Sequence, residues 1–115
     1  MEYKTLNLKE YMPTVDQALK MIEIEVELCK KEGIKALKII HGYGSSGVGG
    51  EIRKALKNWA KLSMRKGLFE DFIRGEEFLS ETQKVKDAKT ICPELVGDID
   101  LYFANPGISV IIIQK

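Results

Sequence analysis

The chain has 115 residues, 44% of them hydrophobic and 30% charged, with a formal net charge of +1. That is enough for one domain with a real core and too little for two, and the balance fits an ordinary globular protein. No apolar run approaches the ~20 residues that cross a bilayer, and Met1-Glu2-Tyr3-Lys4 has neither the basic start nor the apolar core of a secretion signal; the expected location is cytoplasmic.

In chain order, Lys4–Leu8 reads as a short strand with Leu6 and Leu8 on one face. Thr14 and Gln17 have capping-box spacing, and Val15, Ala18, Leu19, Ile22, Val26 and Cys29 recur at helical spacing as far as Glu32, where Gly33 stands at the place of a left-handed cap. Ile34–Ile40 is a second strand, and the helical crossover before it implies that it runs parallel to the first. A second helix is expected over Glu51–Met64, with Ile52, Leu56, Trp59 and Ser63 facing inward and Lys54, Lys57 and Lys61 sharing an exposed stripe beside Arg53. In residues 66–97, Phe69, Phe72, Ile73 and Phe78 suggest a short helix or packed loop, and Ser80–Lys89 reads as a polar helix ended by Pro93 and Gly97. Asp98–Ala104 alternates like a half-buried strand, Asn105-Pro106-Gly107 is a turn, and Ile108–Ile113 is a strand apolar on both faces. The order β-α-β-α-β-β, closed by a hairpin, predicts an α/β (α+β) two-layer sandwich with a mixed four-stranded sheet. Cys29 and Cys92 lack metal-ligand spacing and read as buried thiols rather than a disulfide.

The junction between the second strand and second helix carries the strongest functional signal. The only histidine, His41, is followed by five glycines in residues 42–50. A loop with few side chains leading into a helix offers backbone N–H groups and the positive end of the helix dipole to an anion. The surrounding residues 30–66 hold ten Lys/Arg against two acids, whereas both flanking segments are net acidic. Local field of this kind steers phosphate-bearing partners. Gly42-Tyr43-Gly44-Ser45-Ser46-Gly47 satisfies G-x-G-x-x-G, but a dinucleotide fold places that motif after the first strand of its unit with an acid ~20 residues on, at the end of the next strand. No strand signature stands there, and Val48 occupies the position of the phosphate-binding lysine of a Walker loop. No cofactor or metal is therefore expected. His41 has two readings: a strand-end ring held by backbone hydrogen bonds, or an imidazole at the rim of the loop that contacts phosphate or moves a proton.

The strand-HGYG-loop-GGEIRKAL segment resembles the second signature of the Smr (small MutS-related) domain family, in which H-G-x-G or T-G-x-G leads into a helix. LNLKEYMPTVDQAL lies where that family has its first signature, L-D-L-H-G before a helix, and NPGISVIII is similar to its closing N-x-G turn and last strand. The similarity omits residues 66–97, so the expectation is a single Smr-like domain over 1–115 with a partly helical insert there. The resemblance implies nucleic-acid binding, in some members nicking of DNA or cleavage of RNA, and a fold similar to the C-terminal domain of translation initiation factor three. His41, Gly42 and Gly44 match the second signature, whereas Asn7 stands at the first signature's acid, Lys9 at its histidine and Glu10 at its glycine.

The expected function is binding of DNA or RNA through the phosphate backbone, with cleavage compromised because Asn7 is no carboxylate base and Lys9, with a reference pKa near ~10.4, is a poor proton shuttle. The contacting residues would be Asn7, Lys9, His41, Gly42, Tyr43, Gly44, Ser45, Gly47, Gly49, Gly50, Arg53, Lys54 and Lys57. One alternative is a metal-independent endonuclease in which His41 supplies acid–base catalysis and Lys9 stabilises the transition-state phosphate. The other is a protein–protein interaction module in which Phe69, Phe72 and Phe78 form an exposed patch, against the favoured reading that these phenylalanines cap the core.

Overall fold

A computed structural model describes residues 3–42 and 48–114. The first helix, α1, spans Val15–Glu32. The Gln17 N–H donates to Thr14 Oγ1 at 3.2 Å and the Thr14 N–H donates to Gln17 Oε1 at 3.0 Å, so two donors that a helix start leaves unpaired are satisfied. A cap of this type contributes about 1 kcal/mol. At the other end Gly33 adopts φ 73° and its N–H returns to the last turn. Ala18, Ile22, Val26 and Cys29 are fully buried, with Val15 and Leu19 partly so.

Strand β1 (Tyr3–Asn7) pairs in parallel with β2 (Ala36–Ile40), as the crossover requires. Leu8–Glu10, expected to begin inside the strand, instead forms a 3-10 turn, because the Asn7 side chain accepts the Lys9 N–H and bends the chain away from the sheet. Helix α2 spans Val48–Arg65, three residues earlier than its apolar pattern indicates. Ile52, Leu56, Ala60 and Ser63 are buried, and Trp59 packs against Phe69 with ring centroids 5.6 Å apart.

The third strand is not where alternation places it. β3 is Asp71–Arg74, inside the segment expected to be helical or looped, while residues 98–104 hold a short helix. Helix α3 spans Gln83–Ile91, α4 spans Ile99–Tyr102, and the last strand, β4, is Ile108–Ile112. The reason lies in single residues. Asp98 accepts the N–H groups of Asp100 and Leu101 and so starts a helix, and of the alternating apolar residues only Leu101 is buried, while Ile99 and Phe103 are 69% and 70% exposed. In β3 Phe72 and Ile73 are both buried, one on each face, so the strand shows no period of two. The sheet order is β1-β2-β4-β3 with β4 antiparallel to both neighbours. The mixed four-stranded sheet stands, but α3 and α4 fall between β3 and β4, so these strands are joined by residues 75–107 rather than by a tight hairpin, and helices cover both faces of the sheet instead of the one expected of a two-layer sandwich.

Those residues bring a second helical layer. On one face Leu6, Leu37, Ile39, Phe72 and Ile111 pack under α1 and α2; on the other Ile73, Val110 and Ile112 pack with Val85, Ala88, Leu95 and Leu101. Cys29 and Cys92 are buried in different cores and form no disulfide, and burial pushes the Cys29 thiol up to about 11. Among the described residues no helix is long and apolar enough to cross a membrane.

The second core contains a charge. Lys38, in the middle of β2, is 7% exposed; its Nζ lies 2.9 and 3.1 Å from the two Asp98 oxygens and 2.6 Å from Asp100 Oδ2. Tyr3 OH donates to Asp98 Oδ2 at 2.9 Å. Burial alone would raise the Asp98 carboxyl, but the hydrogen bonds from Lys38, Tyr3 and the Leu101 N–H outweigh it and hold the group below the usual carboxylate range. Burial likewise disfavours the Lys38 cation, and the two aspartates outweigh it and raise its pKa. Tyr3 is pushed up to about 12 by burial and the adjacent Asp98.

Removing one partner of such a pair leaves the other charge buried. Lys38→Met is expected to cost about 3–5 kcal/mol in urea unfolding at pH 7, and a loss under about 1 kcal/mol would show that the pair does not hold the layers together. The depressed Asp98 contributes stability that is present above the unfolded carboxylate pKa and lost as pH falls through its folded value. At the alkaline end stability should decline as pH rises from 10 towards 12, because folded Tyr3 keeps its proton over that interval. Unfolding midpoints across the two ranges check both limbs.

Candidate nucleic-acid interface

Strand β2 stops at Ile40, and the next two residues are clamped to the chain entering β4. The His41 and Gly42 N–H groups both donate to the Gly107 carbonyl, at 2.9 and 3.0 Å. Gly42 has φ 75°, a left-handed turn that a side chain would strain. The His41 ring is 2% exposed and both nitrogens have partners. Nδ1 lies 2.6 Å from the Gly42 carbonyl, which can only accept, so this nitrogen carries the hydrogen. Nε2 is then free to accept from the Ser109 hydroxyl at 2.9 Å, in the middle of the sheet. The arrangement fits a neutral imidazole. Burial lowers its pKa, and the nearby Arg53 charge acts in the same direction, while the Gly42 carbonyl and Glu76 oppose them without prevailing.

The clamp is itself braced. Asn105 Oδ1 accepts the Gly107 N–H at 2.8 Å, and the Asn105 N–H donates to Asp100 O at 3.1 Å. Gly75, following β3, approaches so closely that an added Cβ would lie 2.2 Å from the Asn105 carbonyl oxygen and 2.9 Å from that of Ile108, a space open only to glycine.

Asn7 ends β1 opposite Ile40 in the parallel register, one residue before His41. The sheet thus brings the first-signature segment beside the end of β2 from which the glycine loop leaves, as the parallel order implies. Asn7 caps the 3-10 turn by accepting the Lys9 N–H at 3.1 Å, and its Nδ2 donates to Glu10 Oε1 at 3.3 Å. Lys9, Lys54 and Lys57 are exposed and take part in no ion pair among the described residues. Gly49 and Gly50 lie in the first turn of α2, behind the positive end of an 18-residue helix. Arg53 is committed elsewhere: its Nε donates to the Pro106 carbonyl at 3.2 Å and its Nη2 pairs with Glu76. Tyr43, Gly44, Ser45 and Gly47 lie outside the described residues.

Sequence reasoning missed Ser109, Glu76 and the Gly107 carbonyl. Ser109 had a signal, as the one polar residue in the run Ile108–Ile113. Phe69, Phe72 and Phe78, the surface expected of an interaction module, are buried core residues at 5%, 7% and 2% exposure. No cluster of three or more metal-ligating side chains occurs among the described residues.

Fold and site together define a small α/β domain in which a strand–loop–helix junction is clasped to the neighbouring antiparallel strand. The chain belongs to the Smr domain family, whose model matches residues 6–78. The crystal structure of the Smr domain of Thermus thermophilus MutS2 superimposes with a TM-score of 0.55 at 18% identity, over 97% of this chain and 96% of that one. At that identity the likeness establishes the fold. No curated protein matches the chain.

The His41 ring, neutral in the fold, should titrate below its ordinary 6.5 in an NMR pH series. Because the folded value is depressed, its contribution to stability is present above pH 6.5 and is lost as pH falls below 6.5 through the folded value. Ser109→Ala removes the hydroxyl from which Nε2 accepts and should destabilise by about 1–3 kcal/mol, since a buried acceptor is left unpaired; an unchanged urea midpoint would refute the bond.

Proposed function

We propose that this Smr-family domain binds DNA or RNA through the phosphate backbone and does so without cutting it. The observation that carries this reading is the start of α2 at Val48, where an 18-residue helix follows in sequence after the clamped His41-Gly42 step. There the helix-end N–H groups and the exposed Lys54, Lys57 and Lys9 present positive charge, and none of the three lysines is engaged in an ion pair among the described residues. Contacts of this kind fix a nucleic acid with little preference for base sequence.

The same geometry argues against turnover. The His41 nitrogens are both occupied and the ring is buried, so it supports the loop and is poorly placed to exchange a proton with a phosphate oxygen. Asn7 offers no carboxylate, and its side chain is used to cap a turn. His41 therefore acts here as a positioning residue, and Lys9 as a phosphate contact.

Fluorescence anisotropy on labelled single- and double-stranded DNA and RNA, between about 50 and 200 mM salt, tests the proposal. Affinity should fall steeply with salt, and Lys54→Gln with Lys57→Gln should lower the slope of log affinity against log salt by about 1 for each lysine that contacts a phosphate. A flat salt response, or a slope unchanged in the double variant, would overturn it. Incubation of the same nucleic acids with and without EDTA should yield no cleavage products.

A further inference from the structure

The two edges of the sheet are finished differently. At the β3 edge side chains take up backbone groups. The Phe72 N–H donates to Asp71 Oδ1 at 2.9 Å, the Phe72 carbonyl accepts from Lys84 Nζ at 3.2 Å, and the Arg74 N–H donates to Glu77 Oε2 at 2.9 Å. Such caps keep a further strand from adding to that edge. The β1 edge carries none. Among the described residues, no backbone N–H or C=O from Tyr3 to Leu6 has a partner outside the ladder with β2, and Thr5 is exposed. An edge strand in that state offers its outward donors and acceptors to another strand. Lys4, the residue that could guard the edge, is turned over the sheet face and held by α1, 3.2 Å from Glu25 Oε2 and 3.6 Å from Glu32 Oε1. The same ion pairs identify the side of α1 that overhangs β1. Beside Glu25 on that side stand Met21 at i−4 and Leu28 at i+3, with Ile24 next round the helix. Ile24 and Leu28 are 51% and 38% exposed, and Met21 is partly buried. The three make one apolar strip alongside an open edge.

We propose that two copies of this chain associate through this side, β1 pairing antiparallel with β1 of the second copy and the two Met21–Ile24–Leu28 strips meeting above the joined edge. The contact is isologous, the same surface serving on both copies. A two-fold axis through an antiparallel strand pair stands perpendicular to the sheet, so both α1 helices stay on one face and run antiparallel to each other. Helix α1 lies over both β1 and β2. With ~4.8 Å between strands, two helices so centred come about 10 Å apart, a distance at which helices pack. That spacing selects a second copy over a free peptide strand, which would satisfy the edge but leave Ile24 and Leu28 in water. Glu25 and Glu32, the acids bordering the strip, are already engaged by Lys4, so covering the strip leaves neither carboxylate unpaired. The two four-stranded sheets then become one. The dimer does not require phosphate binding.

Sedimentation velocity over a concentration series is the test. Wild type should pass from monomer to dimer as concentration rises. Ile24→Lys/Leu28→Lys should weaken that association by at least about tenfold, because like charges then face each other across the axis. Both positions are exposed, and matching circular dichroism at low concentration establishes that the variant monomer is folded. Hydrogen exchange reads the strand itself: outward amides of β1 should exchange more slowly at high than at low protein concentration in wild type, and at one rate in the variant. Tyr102→Ala/Phe103→Ala, which trims the exposed aromatic pair on and beside α4, should dimerise as wild type does. Wild type that stays monomeric up to its solubility limit overturns the dimer. So does association that the lysine variant leaves intact or the aromatic variant abolishes, and so do β1 amides whose exchange is independent of concentration.

Discussion

An ammonium group beneath the second layer of helices organises much of this molecule. Lys38 sits on a central strand where its neighbours are apolar, and a cation there is tolerable only with carboxylates brought to it. Asp98 meets that requirement and at the same time starts α4, so one carboxylate both neutralises the lysine and fixes where the chain turns helical. The returning strand then enters through Asn105–Gly107, and the last carbonyl of that turn receives two N–H groups from the end of β2. The end of β2, from which the glycine loop leaves, is thus tied through β4 to the core on the sheet face opposite to α1 and α2.

His41 belongs to the same logic. A histidine at the edge of a phosphate loop invites a catalytic reading, yet here its ring is the clasp between β2 and β4. The proton on Nδ1 goes to the Gly42 carbonyl, and in the neutral ring that burial favours the Nε2 lone pair accepts from the Ser109 hydroxyl. Arg53, which sequence alone would assign to phosphate, braces the same turn through Pro106 and Glu76. Under the proposed function the charge that would meet a phosphate is that of the exposed lysines, whose point charges on flexible stems suit a backbone grip more than a base-specific one.

The portions of this fold that could be read from residues were those governed by local chemistry. Thr14 and Gln17 cap α1, Gly33 ends it, and the apolar stripes of α1 and α2 face the sheet as their spacing requires. The parallel β1–β2 pair followed from the helical crossover, and it brought Asn7 beside the glycine loop. What escaped was decided by tertiary contacts. Phe72 and Ile73 form a strand buried on both faces, which carries no alternation, whereas Asp98–Ala104 alternates and is helical because Asp98 caps it and an ion pair holds it down. Of the candidate site, the exposure of Lys54 and Lys57 and the approach of Asn7 to the end of β2 were legible, whereas the clasp was not, since Ser109 and His41 are 68 residues apart.

The sheet order has a consequence for the order of events during folding. The strand placed between β2 and β3 is the last in the chain, so neither of them acquires its inner neighbour until β4 arrives. Until then β1, β2 and the two long helices can gather locally, but β3 has no strand to pair with, and the open edge of β2 is a template for intermolecular pairing. Closure is a long-range event that joins both cores and sets the His41 clasp in one step. A chain released before Ile108 would hold the helices and the lysines, yet it would lack the strand that makes them a site.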